Sequence, residues 1–425
     1  MLTQPFLTEI DIRAAVKGSR DPLGVQSIWT RMGRQIIDNL TTVSTSVTDF
    51  KVLLIGYHFA EKLREEGQGQ GDLATFFKWE QLAAYARLSV NDEGGFRGVE
   101  RVRQRRGTGR PVAFGEGADC QILANQKIYG LWGLYTVAGT ASGLLSDTPT
   151  RLSPTRAAKI RALYLPRLGQ QSTRELEKLL VKPRFTLKLD SSEPLLKAIA
   201  AAIAKKNSGE ERKLLEETLV QGDGKNPRQA PLAELLRATF KLDDRAWTGS
   251  TDSLRKLVVR GQQAGHHDLA ANLDRIRRCE SLLAPAAVLF DYLLGCNGKT
   301  PSEVATAVRQ QWPTLRLDPV DDLGDDLQPP NADASARARW IQIAECFRTG
   351  SYEHALELLI EQNKTIMKLR GSDAWIAKSA SGKLDVKIDI EPGNLVSGAQ
   401  IATLWRHPYF IPSLRSVARQ IEENS

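Results

Sequence analysis

The residues best suited to bind a ligand are six arginines in one short segment. They are Arg97, Arg101, Arg103, Arg105, Arg106 and Arg110, and Glu100 is the only acid among them. The planar guanidinium of arginine binds a phosphate through two N–H groups at once, and Gly107 and Gly109 let the backbone approach a phosphate closely. The segment predicts phosphate contacts with nucleic acid. An acidic partner protein and a merely solvated face are the alternatives.

Helical spacing gives this segment a face. If it is a helix, Arg97, Arg101 and Arg105 recur every fourth residue and form one outward ridge. Phe96, Val99 and Val102 then face inward. The pattern predicts a basic ridge held on an amphipathic helix.

Two other motifs point to catalysis only weakly. Gly295-Cys-Asn-Gly-Lys-Thr300 ends like a phosphate-binding loop, but position 293, where that motif needs glycine, is leucine. Thr300 and Glu303 instead have the spacing of a helix capping box. Asp385-Val-Lys387, with Asp373 as a second acid, matches the metal-dependent site of a common nuclease fold. Because its hairpin is predicted to be small and solvated on its polar face, a nuclease is a minor alternative.

The histidines and cysteines do not have the spacing of a catalytic site. Adjacent His266 and His267 diverge on a helix, and Ser253 and Lys256 share an ordinary amphipathic helix. The four cysteines, Cys120, Cys279, Cys296 and Cys346, are far apart, which favours a reducing cytoplasm over a disulfide framework or a zinc site. We therefore expect a protein that is not an enzyme and has no metal or cofactor.

Composition sets the broad class. The chain has 425 residues, 41% hydrophobic and 25% charged, which indicates an ordinary globular protein of two to four domains. Its net charge of +8 favours an anionic partner, although a merely well-solvated surface would also carry that charge. The longest apolar run, 282–294, contains Asp291 and is too short to span a bilayer. No signal peptide is read at the N-terminus, so a soluble, cytoplasmic protein is expected.

The elements that must position the arginines are mainly helical. Between Asp119 and Ile160 the order is helix, helix, short strand, turn, short strand and helix, as in a winged helix-turn-helix. The predicted fold is mainly α and multi-helical, with this winged-helix-like unit and a small C-terminal β-hairpin. Lys127, Arg151 and Arg156 then join the arginines as predicted nucleic-acid ligands. A plain helical hairpin is the alternative.

Composition and breaks predict five segments along the chain. They are an N-terminal helical region (1–75), the winged-helix-like region with the arginines (76–170), a helical domain (171–317), an exposed acidic linker with Pro329-Pro330 (318–333), and a helical hairpin followed by a β-hairpin (334–425). In the second strand of that β-hairpin, 384–390, apolar and charged residues alternate, as a half-buried strand requires.

Three blocks resemble a known group of proteins. Asp21-Pro-Leu-Gly24 with Trp29, Leu82-Ala-Ala-Tyr-Ala-Arg87, and Tyr129-Gly-Leu-Trp-Gly-Leu-Tyr135 are similar to uncharacterised multi-helical proteins encoded in prokaryotic anti-phage defence islands. The resemblance covers about the first 170 residues. It implies a subunit that works beside a helicase, an ATPase or a nuclease, and it carries over no catalytic residue.

These observations together favour one function and leave two open. The leading hypothesis is a non-catalytic nucleic-acid-binding subunit of a multi-protein defence complex, with DNA favoured over RNA and no membrane partner. The second is a protein-assembly scaffold that docks a partner helicase, ATPase or nuclease without binding nucleic acid. The third is the metal-dependent nuclease of Asp373, Asp385 and Lys387.

Overall fold

The computed structural model describes residues 21–190, 192–222, 229–241, 249–312, 314–329, 334–388, 393–401 and 403–423. Over these residues the chain is mainly helical, as the sequence predicts. It divides into two compact units, each built from separate stretches of chain. Unit 1 contains the described parts of Met1–Ile36 and Leu235–Tyr409, and unit 2 those of Ile37–Glu234 and Phe410–Ser425. The predicted boundaries after residues 75 and 170 therefore fall inside unit 2.

In the first half of the chain the elements are α1 (Val25–Arg34), α2 (Val47–Glu65), α3 (Asp72–Ser89), α4 (Val99–Gly107), β1 (Val112–Gly115), α5 (Gln126–Tyr129), α6 (Leu131–Ala141), β2 (Leu145–Ser146), β3 (Arg151–Leu152), α7 (Ala157–Leu168), α8 (Gln170–Leu180), β4 (Arg184–Leu187), α9 (Pro194–Ala202), α10 (Gly209–Leu215), a π-helical turn (Glu216–Val220) and α11 (Ala230–Phe240).

In the second half they are α12 (Thr251–Gln263), α13 (His267–Leu293), α14 (Pro301–Gln311), a 3-10 segment (Asp321–Leu327), α15 (Ala334–Thr349), α16 (Tyr352–Leu369), β5 (Ile376–Lys378), β6 (Leu384–Val386), α17 (Gly398–Ile401) and α18 (Ile411–Glu423).

The core of unit 2 is the pair α2 and α3, which pack against each other. The Ser46 side chain accepts a hydrogen bond from the backbone N–H of Asp49 at 3.2 Å and so caps the start of α2. Both helices are buried around nearly their whole circumference. They therefore also bury ionisable side chains, which must find partners inside the protein.

Among the described residues, three two-stranded antiparallel sheets accompany the helices. β1 pairs with β4, with Val112 opposite Leu187 and Gly115 opposite Arg184. β2 pairs with β3. The predicted C-terminal hairpin is confirmed, because β5 pairs with β6.

The winged-helix interpretation is not confirmed. The predicted order of elements is present in α5, α6, β2, β3 and α7. However, α5 is one helical turn, and the strands of the hairpin have two residues each. α6 packs on α2 and α7 on α9, so these elements belong to the larger core of unit 2.

Unit 1 is organised around the long helix α13, which packs on α1, α12 and α16. The capping box before α14 is present as predicted. The Thr300 hydroxyl accepts from the Glu303 N–H at 3.3 Å, while the Glu303 carboxylate accepts from the Thr300 N–H at 2.7 Å. The Gly-Lys-Thr sequence therefore begins a helix by a local capping mechanism.

The prediction of an exposed acidic linker was wrong for its described part, 318–329. Leu323 and Leu327 are fully buried. The aspartates of the segment bind arginines of α13: Asp318 pairs with Arg277, and Asp322 with Arg278 at 2.5 Å. The sequence shows the acidic charge, but the arginines that bind these aspartates lie 41 and 44 residues away along the chain. In the described ranges, no helix has the length and apolar character needed to cross a membrane.

Candidate nucleic-acid interface

The arginine segment begins at a turn that only glycine fits easily. Gly98 has a φ of 84°, and α4 starts at the next residue. A Cβ atom at Gly98 would also lie 2.7 Å from the carbonyl oxygen of Ile122. Arg97 consequently precedes the helix, so that the predicted ridge of three arginines is reduced on the helix to Arg101 and Arg105.

Arg101 and Arg105 fix α4 to the loop that follows β1. The Arg101 guanidinium donates to the carbonyl oxygens of Gln121 and Leu123 at 3.0 and 2.9 Å. That of Arg105 donates to the carbonyl of Cys120 at 2.8 Å. Both side chains are half-buried. These two arginines therefore position the segment.

The other four arginines of the segment are exposed. Arg103 is 53% exposed at its side chain and pairs with Glu100 at 2.6 Å. Arg97, Arg106 and Arg110 have no side-chain partner within the described parts of the chain. Their guanidinium groups are consequently available to an external anion.

A second stretch of chain adds cations that the sequence analysis missed. Because Val112 lies opposite Leu187, the residue after β4, Lys188, lies beside the chain that enters β1 from Arg110. Along β4, Phe185 is buried while Arg184 and Thr186 are exposed, and Lys188 continues the exposed set. Arg184 pairs with Asp119 at 2.6 Å. The alternation was visible in the sequence, but its pairing with β1 was not.

An exposed patch lies on the single turn α5, which follows the loop that Arg101 and Arg105 bind. Lys127 is exposed, and Ile128 and Tyr129 are 50% and 56% exposed, which is unusual for large apolar side chains. The patch is held from beneath by the buried Glu80. Its carboxylate accepts from the Gln126 side-chain amide and from the Leu131 N–H, both at 2.7 Å.

Glu80 has an unusual protonation equilibrium. Its complete burial raises the pKa to about 7, against the opposing effect of the hydrogen bonds from Leu131 and Gln126. A cavity of about 10 Å³, the size of one water, lies beside it. Arg97 and Leu131 both line this cavity. Arg97 therefore lies close to the start of α6.

Arg151 and Arg156, which were also predicted to bind nucleic acid, are half-buried at the β2–β3 hairpin. Arg156 is half-buried and donates to the Gly143 carbonyl at 2.7 Å, across the β2–β3 hairpin. Arg151 is half-buried in β3, which packs on α2, and its charge acts on Glu61 of that helix. We define the basic face as the exposed Arg97, Arg103, Arg106, Arg110, Lys127, Arg184, Lys188 and Tyr129.

The residues considered for a nuclease lie at the surface. Asp373, Asp385 and Lys387 are exposed positions around the β5–β6 hairpin. Over the described residues, no group of three or more His, Cys, Asp and Glu side chains is placed to hold a metal ion. All four cysteines are buried. Burial raises the pKa of each thiol, which favours the unreactive protonated form.

In comparisons with known proteins, no family model, curated protein or solved structure matches the chain.

Proposed function

We propose that the protein binds nucleic acid through the basic face. The observation that carries the proposal is that two distant segments with exposed cations, 97–110 and 184–188, are joined by the β1–β4 pair, which places Lys188 beside the chain at Arg110. A cluster of this kind attracts the phosphate backbone and gains affinity by releasing counterions. Arg101 and Arg105 support it by holding α4 against the loop at 120–123.

The substrate that suits this face best is a single strand. Proteins that bind single strands combine a positively charged track with aromatic side chains on which bases stack. Tyr129 is exposed on α5, two residues after Lys127. A base of a paired duplex is already stacked and does not offer its face to such a ring. We therefore assign phosphate contacts to the cations and stacking to Tyr129.

The biological setting rests on the resemblance to proteins of defence islands. It supports a non-catalytic subunit that holds a strand, DNA rather than RNA, for a partner helicase, ATPase or nuclease. The basic face supports the binding part of this proposal.

The test is binding of a fluorescent 20-nucleotide strand, and of the matching duplex, over a range of salt concentrations. We expect Arg103→Ala/Arg106→Ala/Arg110→Ala to weaken strand binding at least tenfold. It should also reduce the slope of log K against log salt by about 2, because each phosphate contact on a single strand contributes ~0.7. Tyr129→Ala should weaken binding of the strand about tenfold, since stacking contributes ~1–3 kcal/mol per base, whereas Tyr129→Trp should retain it.

The matched control removes three exposed cations from unit 1: Lys256→Ala/Arg309→Ala/Lys368→Ala. It changes the net charge equally and should leave the affinity and the salt slope nearly unchanged. Equal losses in the two triple variants would mean that net charge, and not this face, attracts the strand. An unchanged affinity in the Arg103/Arg106/Arg110 variant would refute the proposal.

A further inference from the structure

Unit 1 contains a cavity that the nucleic-acid proposal does not use. Its volume is about 220 Å³, and it lies between α1, α13 and the segment 406–407. Val25, Trp29, Ala287 and Phe290 form its apolar walls. A cavity of about 150 Å³ holds benzene, so this one has room for an aromatic ring with a short polar arm.

One polar group in the lining is a histidine held in a single orientation. Glu280 is fully buried, and its carboxylate accepts four hydrogen bonds: from the N–H groups of Arg406 and His407 at 2.6 and 3.0 Å, from Nδ1 of His407 at 2.9 Å, and from the Tyr409 hydroxyl at 2.9 Å. Because Nδ1 donates its hydrogen to this carboxylate, Nε2 of the neutral imidazole carries a lone pair. Nε2 has no hydrogen-bond partner among the described residues.

The second polar group is a carboxylate oxygen. Asp21 is 4% exposed and lines the cavity. Its Oδ2 accepts from Arg370 at 2.9 Å, while its Oδ1 is buried and has no partner among the described residues. A buried carboxylate oxygen without a donor is costly, and a carboxylate can accept more hydrogen bonds than Asp21 receives here. Two residues of the lining, Asp21 and His407, therefore each carry an acceptor atom that lacks a donor among the described residues.

The open acceptors and the aromatic rings of the lining favour a cation that carries N–H donors. Asp21 pairs with Arg370 and Asp291 with Arg406, so each carboxylate of the lining has one guanidinium partner. Oδ1 of Asp21 still lacks a donor among the described residues, and the apolar walls include two aromatic rings. Such rings attract cations and hold apolar bodies.

We propose that this cavity binds a small organic cation: a primary ammonium group on an apolar body about the size of one aromatic ring. The ammonium donates to Oδ1 of Asp21 and to Nε2 of His407. The body packs between Trp29, Ala287 and Phe290. Glu280 is a positioning residue, because it fixes the tautomer and orientation of His407.

The test uses 2-phenylethylamine as the probe and 2-phenylethanol as its uncharged counterpart, each titrated into the full-length protein by calorimetry at pH 8. We expect the amine to bind saturably and at least tenfold more tightly than the alcohol. This comparison uses the unaltered protein, so it does not depend on whether a variant folds. Equal affinities would reject the cation, and no saturable binding of the amine would reject the site.

Two variants locate the binding. Ala287→Leu fills the cavity from the α13 wall and should abolish binding of both probes. Asp21→Asn should reduce the affinity for the amine at least tenfold and leave that for the alcohol within about twofold. Glu353→Gln, which removes an exposed charge from α16, is the matched control and should change neither. Undiminished amine binding in Ala287→Leu, or an equal loss in Glu353→Gln, would place the amine elsewhere and overturn the proposal.

Discussion

The buried charges of unit 2 show how a residue's role depends on partners far along the chain. Arg87 is 4% exposed, pairs with Asp49 at 2.5 Å and with Glu93 at 2.7 Å, and lies 4.7 Å from the centre of the Phe96 ring. Arginines are rarely buried, and a sequence does not show which of them is the exception. The same limit applies to the basic segment, where residue type and spacing predict an arginine cluster but cannot separate Arg101 from Arg106.

Glu80 makes the stability of the protein depend on pH. Its folded pKa is about 7, while the usual value is 4.5. Between these values the folded state holds a proton that the unfolded chain has released. The free energy of unfolding therefore falls as pH rises from 4.5 to 7 and is constant above that. The shift corresponds to about 3 kcal/mol.

We expect Glu80→Gln to remove this dependence, so that the variant gains about 2–3 kcal/mol relative to the wild type between pH 4.5 and 8. The measurement is urea unfolding of both proteins across that range. His58 acts in the opposite direction, because burial lowers its pKa to about 4, so its protonation destabilises the fold below pH 6.5. It is present in both proteins and cancels in the difference. Parallel pH profiles would show that Glu80 is ionised when folded.

Sequence patterns within one element predict its structure correctly, whereas contacts between elements that are far apart in the chain are not predicted. The capping box at Thr300 and Glu303 spans four residues and is visible in the sequence. The β1–β4 pair places Val112 opposite Leu187, and the sequence around either strand does not indicate which strand it pairs with. The prediction of a linker after Asp318 was wrong for the same reason. Its acidic composition is typical of a solvated linker, and the sequence does not show that the arginines of α13 lie beside it.

The attachment of α4 to the loop after β1 gives a prediction for this element. Arg101 makes two hydrogen bonds from a charged group to carbonyls, and bonds of this type contribute about 1.5–3 kcal/mol when buried. Since Arg101 is half-buried, we expect Arg101→Ala to lower the free energy of unfolding by about 1–2 kcal/mol. Hydrogen exchange of the Val99–Gly107 amides should also become faster.

Arg106 lies on the same helix and is exposed, so Arg106→Ala is the control and should change the stability by less than about 0.5 kcal/mol. Equal effects of the two substitutions in urea unfolding would show that Arg101 does not hold the helix in solution. The comparison also explains why the binding test replaces Arg103, Arg106 and Arg110, since replacing Arg101 or Arg105 would disturb the fold and the face together.

At the scale of the molecule, neither unit is a continuous stretch of sequence. Residues 21–36 belong with 235–409, and residues 410–423 belong with 37–234. Composition and helix breaks divide a chain only into consecutive segments. They therefore cannot predict that each unit is built from two stretches that are far apart in the sequence. What the sequence does predict at this scale is the helical class, because an apolar face that recurs every three or four residues is a local property.

The last helix, α18, is the clearest consequence of that arrangement. It packs on α2, α10 and the π-helical turn, all in unit 2. Its Gln420 accepts from the Val47 N–H at 3.0 Å and donates to the Thr45 carbonyl at 2.7 Å, so it supports the start of α2. Residues 411–423 thereby belong to the core of unit 2.

Leu414 of α18 is fully buried, and Leu414→Ala should lower the free energy of unfolding by about 2–5 kcal/mol, the usual cost of such a cavity. We expect hydrogen exchange to become faster in Glu216–Val220 and in the first turns of α2, because these elements lose their packing on α18. Glu423→Ala, at the exposed end of the same helix, should leave both quantities nearly unchanged. If Leu414→Ala lowered stability while exchange in those two segments stayed at the wild-type rate, the last helix would not be part of their core, and the assignment of residues 410–423 to unit 2 would fail.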